Sequence, residues 1–356
     1  MAAFQTKQKF IFTVKPCAGF RVEHIGKVYP SRPHTGYKGS AILIRTEIAV
    51  FHAVLDFDAC INDGNTADQY RQPPCDAVYS NQINRFRRKI MVGENNKVVI
   101  VTGGSSGIGR CTASALKENG CIVYEFSRRS IPMEGVTHLS VDVTDEDAVN
   151  AAVQQVIQKE TKIDAVINCA GFGISGAVEF TSMEQAKAQF DVNFFGTVTV
   201  NKAVLPFMRH QGKGHIVNIS SVAAVAHIPF QTFYSASKAA VSSYSYALAN
   251  EVKPYGIHVT VVELGDICTG FTKARQKSIL GDDEYGGRIS RSVSQMEHDE
   301  QNGMDPARIG RYIAGIVEKK KPAVVYVAGA QYKFLSLLCK LLPAAARGKI
   351  VGKIYG

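Results

Sequence analysis

Residues 91–330 of the 356-residue chain predict a doubly wound α/β fold, a parallel sheet of about seven strands with helices on both faces. Seven short β-branched runs (KVVIVT, CIVYEF, THLSV, KIDAVIN, GHIVNIS, IHVTVV, AVVYV) recur between Lys97 and Val327, separated by stretches of helical length. Each run is continuously apolar rather than alternating, as strands buried on both faces must be. A glycine cluster follows the first run directly, where a strand would turn into a helix.

The chain before the first run does not share this rhythm. Residues 1–90 are irregular and punctuated by Pro and Gly, and their longest apolar stretch, AILIRTEIAVFHAVL at 41–55, suits a helix or a strand equally. Such a segment is small for a core of its own, so it reads as an N-terminal extension that does not fold independently. Met91, six residues before the first strand, is a candidate native start. Peptides from before Met91 in mass spectra of the natively expressed protein would refute that.

After the first strand, KVVIVTGGSSGIGR sets Gly103, Gly107 and Gly109 at the join with a helix. Glycines there permit a tight turn, let backbone amides approach a pyrophosphate, and aim a helix N-terminus at it. The second strand ends in EFSRR, which puts Arg128 beside the expected adenosine ribose; a basic residue there suits a 2′-phosphate, hence NADP(H) over NAD(H). Glu125 favours NAD(H), but it lies inside the strand. The helix DVTDEDAVNAAVQQVIQKE opens on acidic capping residues and closes on Lys159, while DPARIGRYIAGIVEKKK opens on Asp305 and a first-turn Pro306.

Composition narrows the function. Eight scattered cysteines without a C-x-x-C pair indicate neither a zinc site nor a disulfide framework, and point to a reducing, cytoplasmic setting. No histidine has companions at metal-ligand spacing, so no metal is expected. His227, just after GHIVNISS, is a candidate pocket residue. The net charge of +10 divides as +6 over residues 1–90, −5 over 91–305 and +9 over 306–356. A mildly acidic central region argues against nucleic-acid binding. Residues 331–356 mix Leu, Phe and Ile with Lys333, Lys340, Arg347, Lys349 and Lys353. That basic amphipathic tail could lie on an anionic membrane surface, cap the substrate pocket, or pack on a second subunit.

FYSASKAA places Tyr234 and Lys238 one helical turn apart. A nearby ammonium and an oxidised nicotinamide would both favour the phenolate of a tyrosine whose ordinary pKa, about 10, makes it a poor base at neutral pH.

Taken in order, TGGSSGIG at 102–109, VDVTD at 141–145, NCAG at 168–171, DVNFFGT at 191–197, GHIVNISS at 214–221 and YSASK at 234–238 resemble the short-chain dehydrogenase/reductase family, whose fold is the Rossmann type. The resemblance runs from about Lys97 to Thr269 and more loosely to 330. It implies a catalytic tetrad of Asn193, Ser221, Tyr234 and Lys238, with Ser221 thirteen residues before the tyrosine. Asn193 would hold a water linking Lys238 to solvent, and the lysine would also hold the nicotinamide ribose. Cofactor contacts are implied for Gly103, Ser105, Ser106, Gly107, Ile108, Gly109, Asp142, Val143, Asn168, Ala170, Gly171, Tyr234, Lys238, Ile267 and Thr269. Two positions depart from the pattern: Cys169 replaces the second Asn of NNAG, and Leu264-Gly265 replaces Pro-Gly. The family commonly assembles as homo-oligomers.

The pocket is expected between VAAVAHIPFQTF after Ser221, FGISGAVEF after NCAG, and a lid at about 270–305. The first two are apolar, which suits a lipophilic alcohol or ketone, as does a weaker likeness to the hydroxysteroid and retinol dehydrogenase branch. The alternatives are a reductase of a small polar carbonyl and a non-catalytic dinucleotide-binding regulator, which would have no need of an intact Ser, Tyr and Lys.

Overall fold

The computed structural model of the protein describes residues 97–356; the expectations for residues 1–90 and for Met91 lie outside them. From β1 (Val98–Thr102) the chain enters helix α1 (Gly107–Glu118), then β2 (Ile122–Ser127), β3 (Val136–Ser140), α2 (Glu146–Glu160) and β4 (Ala165–Asn168). A two-residue strand β5 (Ile174–Ser175) precedes α3 (Met183–Phe190), which runs through a π-helical turn at Asp191–Phe195 into α4 (Gly196–Gln211). There follow β6 (Gly214–Ser221), α5 (Ala223–Ala226), α6 (Thr232–Val252) and β7 (Ile257–Leu264). The last part comprises α7 (Phe271–Ala274), β8 (Gln276–Lys277), α8 (Arg288–Gln301), α9 (Pro306–Val317), β9 (Val325–Val327), α10 (Ala330–Leu341) and α11 (Ala344–Tyr355).

Seven strands form one parallel sheet in the order β3-β2-β1-β4-β6-β7-β9. The chain winds outward from β1 to β3, returns to β4, and winds outward again to β9. The order therefore reverses between β1 and β4, which opens a crevice at their carboxyl ends. Buried side chains divide by face: Val98 and Ile100 pack with Val149 of α2 and Val204 of α4, whereas Val99 and Val101 pack with Leu116 of α1 and Ile313 of α9. That two-sided burial is why the strands read as continuous apolar runs.

Helix ends follow the capping chemistry. Asp145 accepts from Ala148 N at 2.9 Å, and Asp305 accepts from Ala307 N and Arg308 N at 3.0 and 3.1 Å. The segment expected to be a lid, about 270–305, packs on the body: β8 pairs with β5, and α8 packs Ile289, Val293 and Met296 against Ala177 and Phe230. The tail folds as the hairpin α10–α11. A buried carboxylate on β7 holds it, since Glu263 accepts from Lys340 Nζ at 3.0 and 3.1 Å and from Ser336 Oγ at 2.7 Å.

Candidate active site

Gly103 and Gly107 sit at φ +68° and +52°, in the left-handed region that favours glycine. A Cβ on Gly109 would collide with the carbonyl of Gly103, so β1 and α1 close on a turn that tolerates no side chain there. Ser106 caps α1 without a side-chain hydrogen bond, and the first turn holds no acidic residue. The leading amides of α1 are thereby left for an anionic ligand, and this cradle fits a dinucleotide pyrophosphate. Thr102 Oγ1 accepts from the amides of Cys169 and Ala170, both at 3.1 Å, tying the ends of β1 and β4 together across the crevice.

A cavity of about 640 Å³ fills the crevice. Gly103, Ser105, Ser106, Gly107, Ile108, Gly109, Arg128, Asp142, Val143, Ala170, Gly171, Ser221, Tyr234, Lys238, Ile267 and Thr269 all line it. Two of the expected residues do not. The amide of Asn168 donates to Asn201 Oδ1 and Asn218 Oδ1, both at 2.8 Å, so this side chain joins a buried network linking β4, α4 and β6 instead of lining the cavity. Asn193 is fully buried in the π-helical turn: its Oδ1 accepts from Phe172 N, and its Nδ2 donates to Phe172 O and Ser237 Oγ. It still faces the site through a bare glycine, because a Cβ on Gly171 would lie 3.0 Å from Asn193 Oδ1 and 3.6 Å from Lys238 Nζ. His227 lies outside the cavity too, in a smaller groove against Arg347 and Gly348.

The expected catalytic residues Ser221, Tyr234 and Lys238 sit at the carboxyl end of β6 and the first turns of α6. Ser220 and Ser221 point to opposite sides, as neighbours on a strand must. Ser220 Oγ is spent on Lys238 O and Ser242 Oγ, while Ser221 lines the cavity and hydrogen-bonds Tyr234. Lys238 Nζ donates to Ile219 O at 3.0 Å and lies 5.8 Å from the centre of the Tyr234 ring. Burial pushes its pKa down to about 8.

The tyrosine sits on the acid side. Burial pushes its phenol up to about 12; the hydrogen bond with Ser221 pulls it back, Glu300 raises it, Arg275 lowers it and Asp266 raises it. Desolvation outweighs the Ser221 hydrogen bond and the Arg275 cation, so at neutral pH Tyr234 rests as a phenol, an acid rather than a base.

The expected pocket walls contribute Phe172, Val222, Ala226, Gln231, Phe271 and Glu300. The wall that spacing did not reveal is the tail. Leu335, Leu338, Leu342 and Val351 close the far side of the cavity, which realises the pocket-capping alternative. At Leu264-Gly265 the glycine is required, since a Cβ on Gly265 would run into the ring of Tyr332, whose hydroxyl donates to Asp266 Oδ2 at 2.9 Å; the leucine in place of proline has no structural explanation. Among the described residues no cluster of three or more His, Cys, Asp or Glu could hold a metal.

The family model described as short chain dehydrogenase matches residues 97–279. Over 229 residues, 64% of this chain and 85% of the relative, the sequence is 45% identical to a 3-ketodihydrosphingosine reductase of Bacteroides thetaiotaomicron. It is 31% identical over 260 residues, 68% of this chain and 76% of the relative, to dehydrogenase/reductase SDR family member 7B of Rattus norvegicus. A solved short-chain dehydrogenase from Streptomyces avermitilis superposes with a TM-score of 0.65 at 28% identity, covering 73% of this chain and 98% of that one.

Proposed function

The chain belongs to the short-chain dehydrogenase/reductase family of oxidoreductases acting on carbonyl or hydroxyl groups, and from that premise we propose that it reduces the ketone of a long-chain lipid with NADPH. One observation carries this reading: Ser221, Tyr234 and Lys238 meet in a cavity whose far wall is built from the leucines of α10. An alkyl chain is the ligand such a wall favours. The name of the Bacteroides relative supports a 3-keto sphingoid base as the substrate.

When bound, NADPH supplies the hydride. The glycine turn and the amides of α1 would hold its pyrophosphate, and Lys238 would hold its nicotinamide ribose. Ser221 would donate to the substrate oxygen and fix its position. Tyr234, protonated at neutral pH, would give that oxygen its proton, and the Lys238 ammonium would stabilise the phenolate left behind. A site resting as phenol suits reduction, which consumes a proton. Asn193, behind Gly171, is assigned to the proton path from Lys238.

Two features support NADPH over NADH. The carboxylate of Glu125 is buried against His138 Nδ1 at 2.5 Å and does not line the cavity, whereas Arg128 lines it with an exposed side chain. Arg128→Ala should raise the KM for NADPH about tenfold and leave that for NADH unchanged, as expected for one exposed charge-assisted contact. An equal loss with both cofactors would remove the 2′-phosphate role.

A sphingoid base carries an amine next to its ketone; of the two carboxylates in the cavity close enough to perturb Tyr234, Glu300 is engaged by Arg275 and Thr272, which leaves Asp266 as the one that would meet the amine. Asp266→Asn should raise the KM for the amino ketone about tenfold while leaving that of a plain long-chain ketone unchanged. Purified protein incubated with NADPH, 3-ketodihydrosphingosine and a panel of shorter ketones tests the whole reading, and turnover confined to small polar carbonyls would overturn it. Homo-oligomeric assembly and a cytoplasmic setting belong to the same proposal. No described helix is long and apolar enough to cross a membrane.

A further inference from the structure

The hairpin α10–α11 is apolar on two sides. Inward, it closes the cavity. Outward, Phe334, Leu337 and Leu341 are 69%, 56% and 73% exposed, and their spacing of three and four residues sets them in one stripe along α10. Ile350 and Ile354, one turn apart on α11, are 41% and 51% exposed and line the cavity as well, so they stand at its rim. Five of the fourteen large apolar side chains exposed among the described residues thus fall between positions 334 and 354. Such a concentration on one hairpin is an interaction surface rather than scatter.

Charge selects the partner. Lys333, Lys349 and Lys353 are exposed on the hairpin, and residues 319–356 contain no Asp or Glu. Lys340 adds nothing to this face, because its ammonium is turned inward onto Glu263. A second copy related by two-fold symmetry would set lysines against lysines with no carboxylate between them. An anionic lipid surface meets both the stripe and the lysines.

We propose that this face docks on an anionic bilayer and that the substrate passes between bilayer and cavity through the rim at Ile350 and Ile354, without crossing water. The second half of this rests on the lipid-ketone reading given above. The geometry explains why the stripe and the cavity wall share one hairpin: the same short segment meets the membrane on one side and the alkyl chain on the other.

The test uses the full chain and vesicles of phosphatidylcholine, alone or mixed with phosphatidylglycerol. Two paired variants, Leu337→Ser with Leu341→Ser and Lys349→Glu with Lys353→Glu, change exposed side chains that do not line the cavity. Co-sedimentation should require the mixed vesicles, and each pair should weaken it at least about tenfold. Turnover of a long-chain ketone presented in vesicles should fall in parallel, while turnover of the same ketone in detergent is retained. Equal binding to neutral vesicles, or binding that neither pair affects, would overturn the proposal. So would a wild-type dimer that the leucine pair makes monomeric while vesicle binding stays absent, since a second copy would then cover the face. Failure of the wild type to reduce the ketone in detergent would instead refute the substrate reading and leave the docking result standing by itself.

Discussion

Tyr234→Phe should abolish ketone reduction, lowering turnover on the order of 10³-fold or more, while NADPH still binds and the fold is kept. The change removes one oxygen. The ring keeps its place against Phe271, 5.8 Å away between centroids, and the helix that carries it is unaltered. What would disappear is the proton that the proposed mechanism delivers to the substrate oxygen, and a positioned general acid contributes roughly 10²- to 10⁴-fold. Ser221 cannot replace it: its Oγ accepts from Ala223 N at 3.1 Å and keeps one proton to orient the substrate. Steady-state oxidation of NADPH measures the rate, and quenching or enhancement of nicotinamide fluorescence measures binding. Retained turnover would sink the assignment and revive the reading of a dinucleotide-binding regulator. Loss of binding together with turnover would mean that the phenol holds the cofactor and leave its acid role without support.

The sequence made this centre legible because each part answers to a local rule. A turn that admits no Cβ must be glycine, a strand buried on both faces must be continuously apolar, and alternation along β6 separates Ser221 from Ser220. What stayed hidden depends on contacts distant in the chain. Lys340 counts as surface charge in the sequence, yet it closes on a carboxylate 77 residues away. The leucines of α10 belong to two faces, and periodicity marks them all as apolar without saying which meets a cavity and which meets solvent. Asn168 sits in a cofactor motif, but Asn201 and Asn218 draw its amide into the core. Spacing sets Lys238 one turn from Tyr234, but it does not reveal the desolvation that raises the phenol.

Lys238 gives the second large effect, and its signature is a pH profile. On the proposed mechanism the ammonium would stabilise the phenolate that remains once Tyr234 has given up its proton, so Lys238→Met should lower turnover by about 10²- to 10³-fold. The sign of the pH dependence follows from two values. The phenol, near 12, stays protonated throughout the neutral range, whereas the ammonium, near 8, is the first charge lost as pH rises. Reduction in the wild type should therefore hold level below about 8 and fall through it, and the residual rate of Lys238→Met should show no such limb. Folding stability responds in the opposite sense. Between about 8 and the ordinary lysine value of 10.5 the unfolded chain keeps a proton that the folded one has released, so the contribution of this group to stability rises with pH across that window. A rate that falls there while thermal stability holds is thus chemistry rather than unfolding. Because Lys238 Nζ also donates to Ile219 O, the methionine variant leaves a buried carbonyl short of a donor, and about 1–3 kcal/mol of stability should go with it. Lys238→Arg separates the two roles, since it keeps a charge that does not titrate near 8. If its rate falls through pH 8 as the wild type does, the limb belongs to another group and the assignment of Lys238 fails.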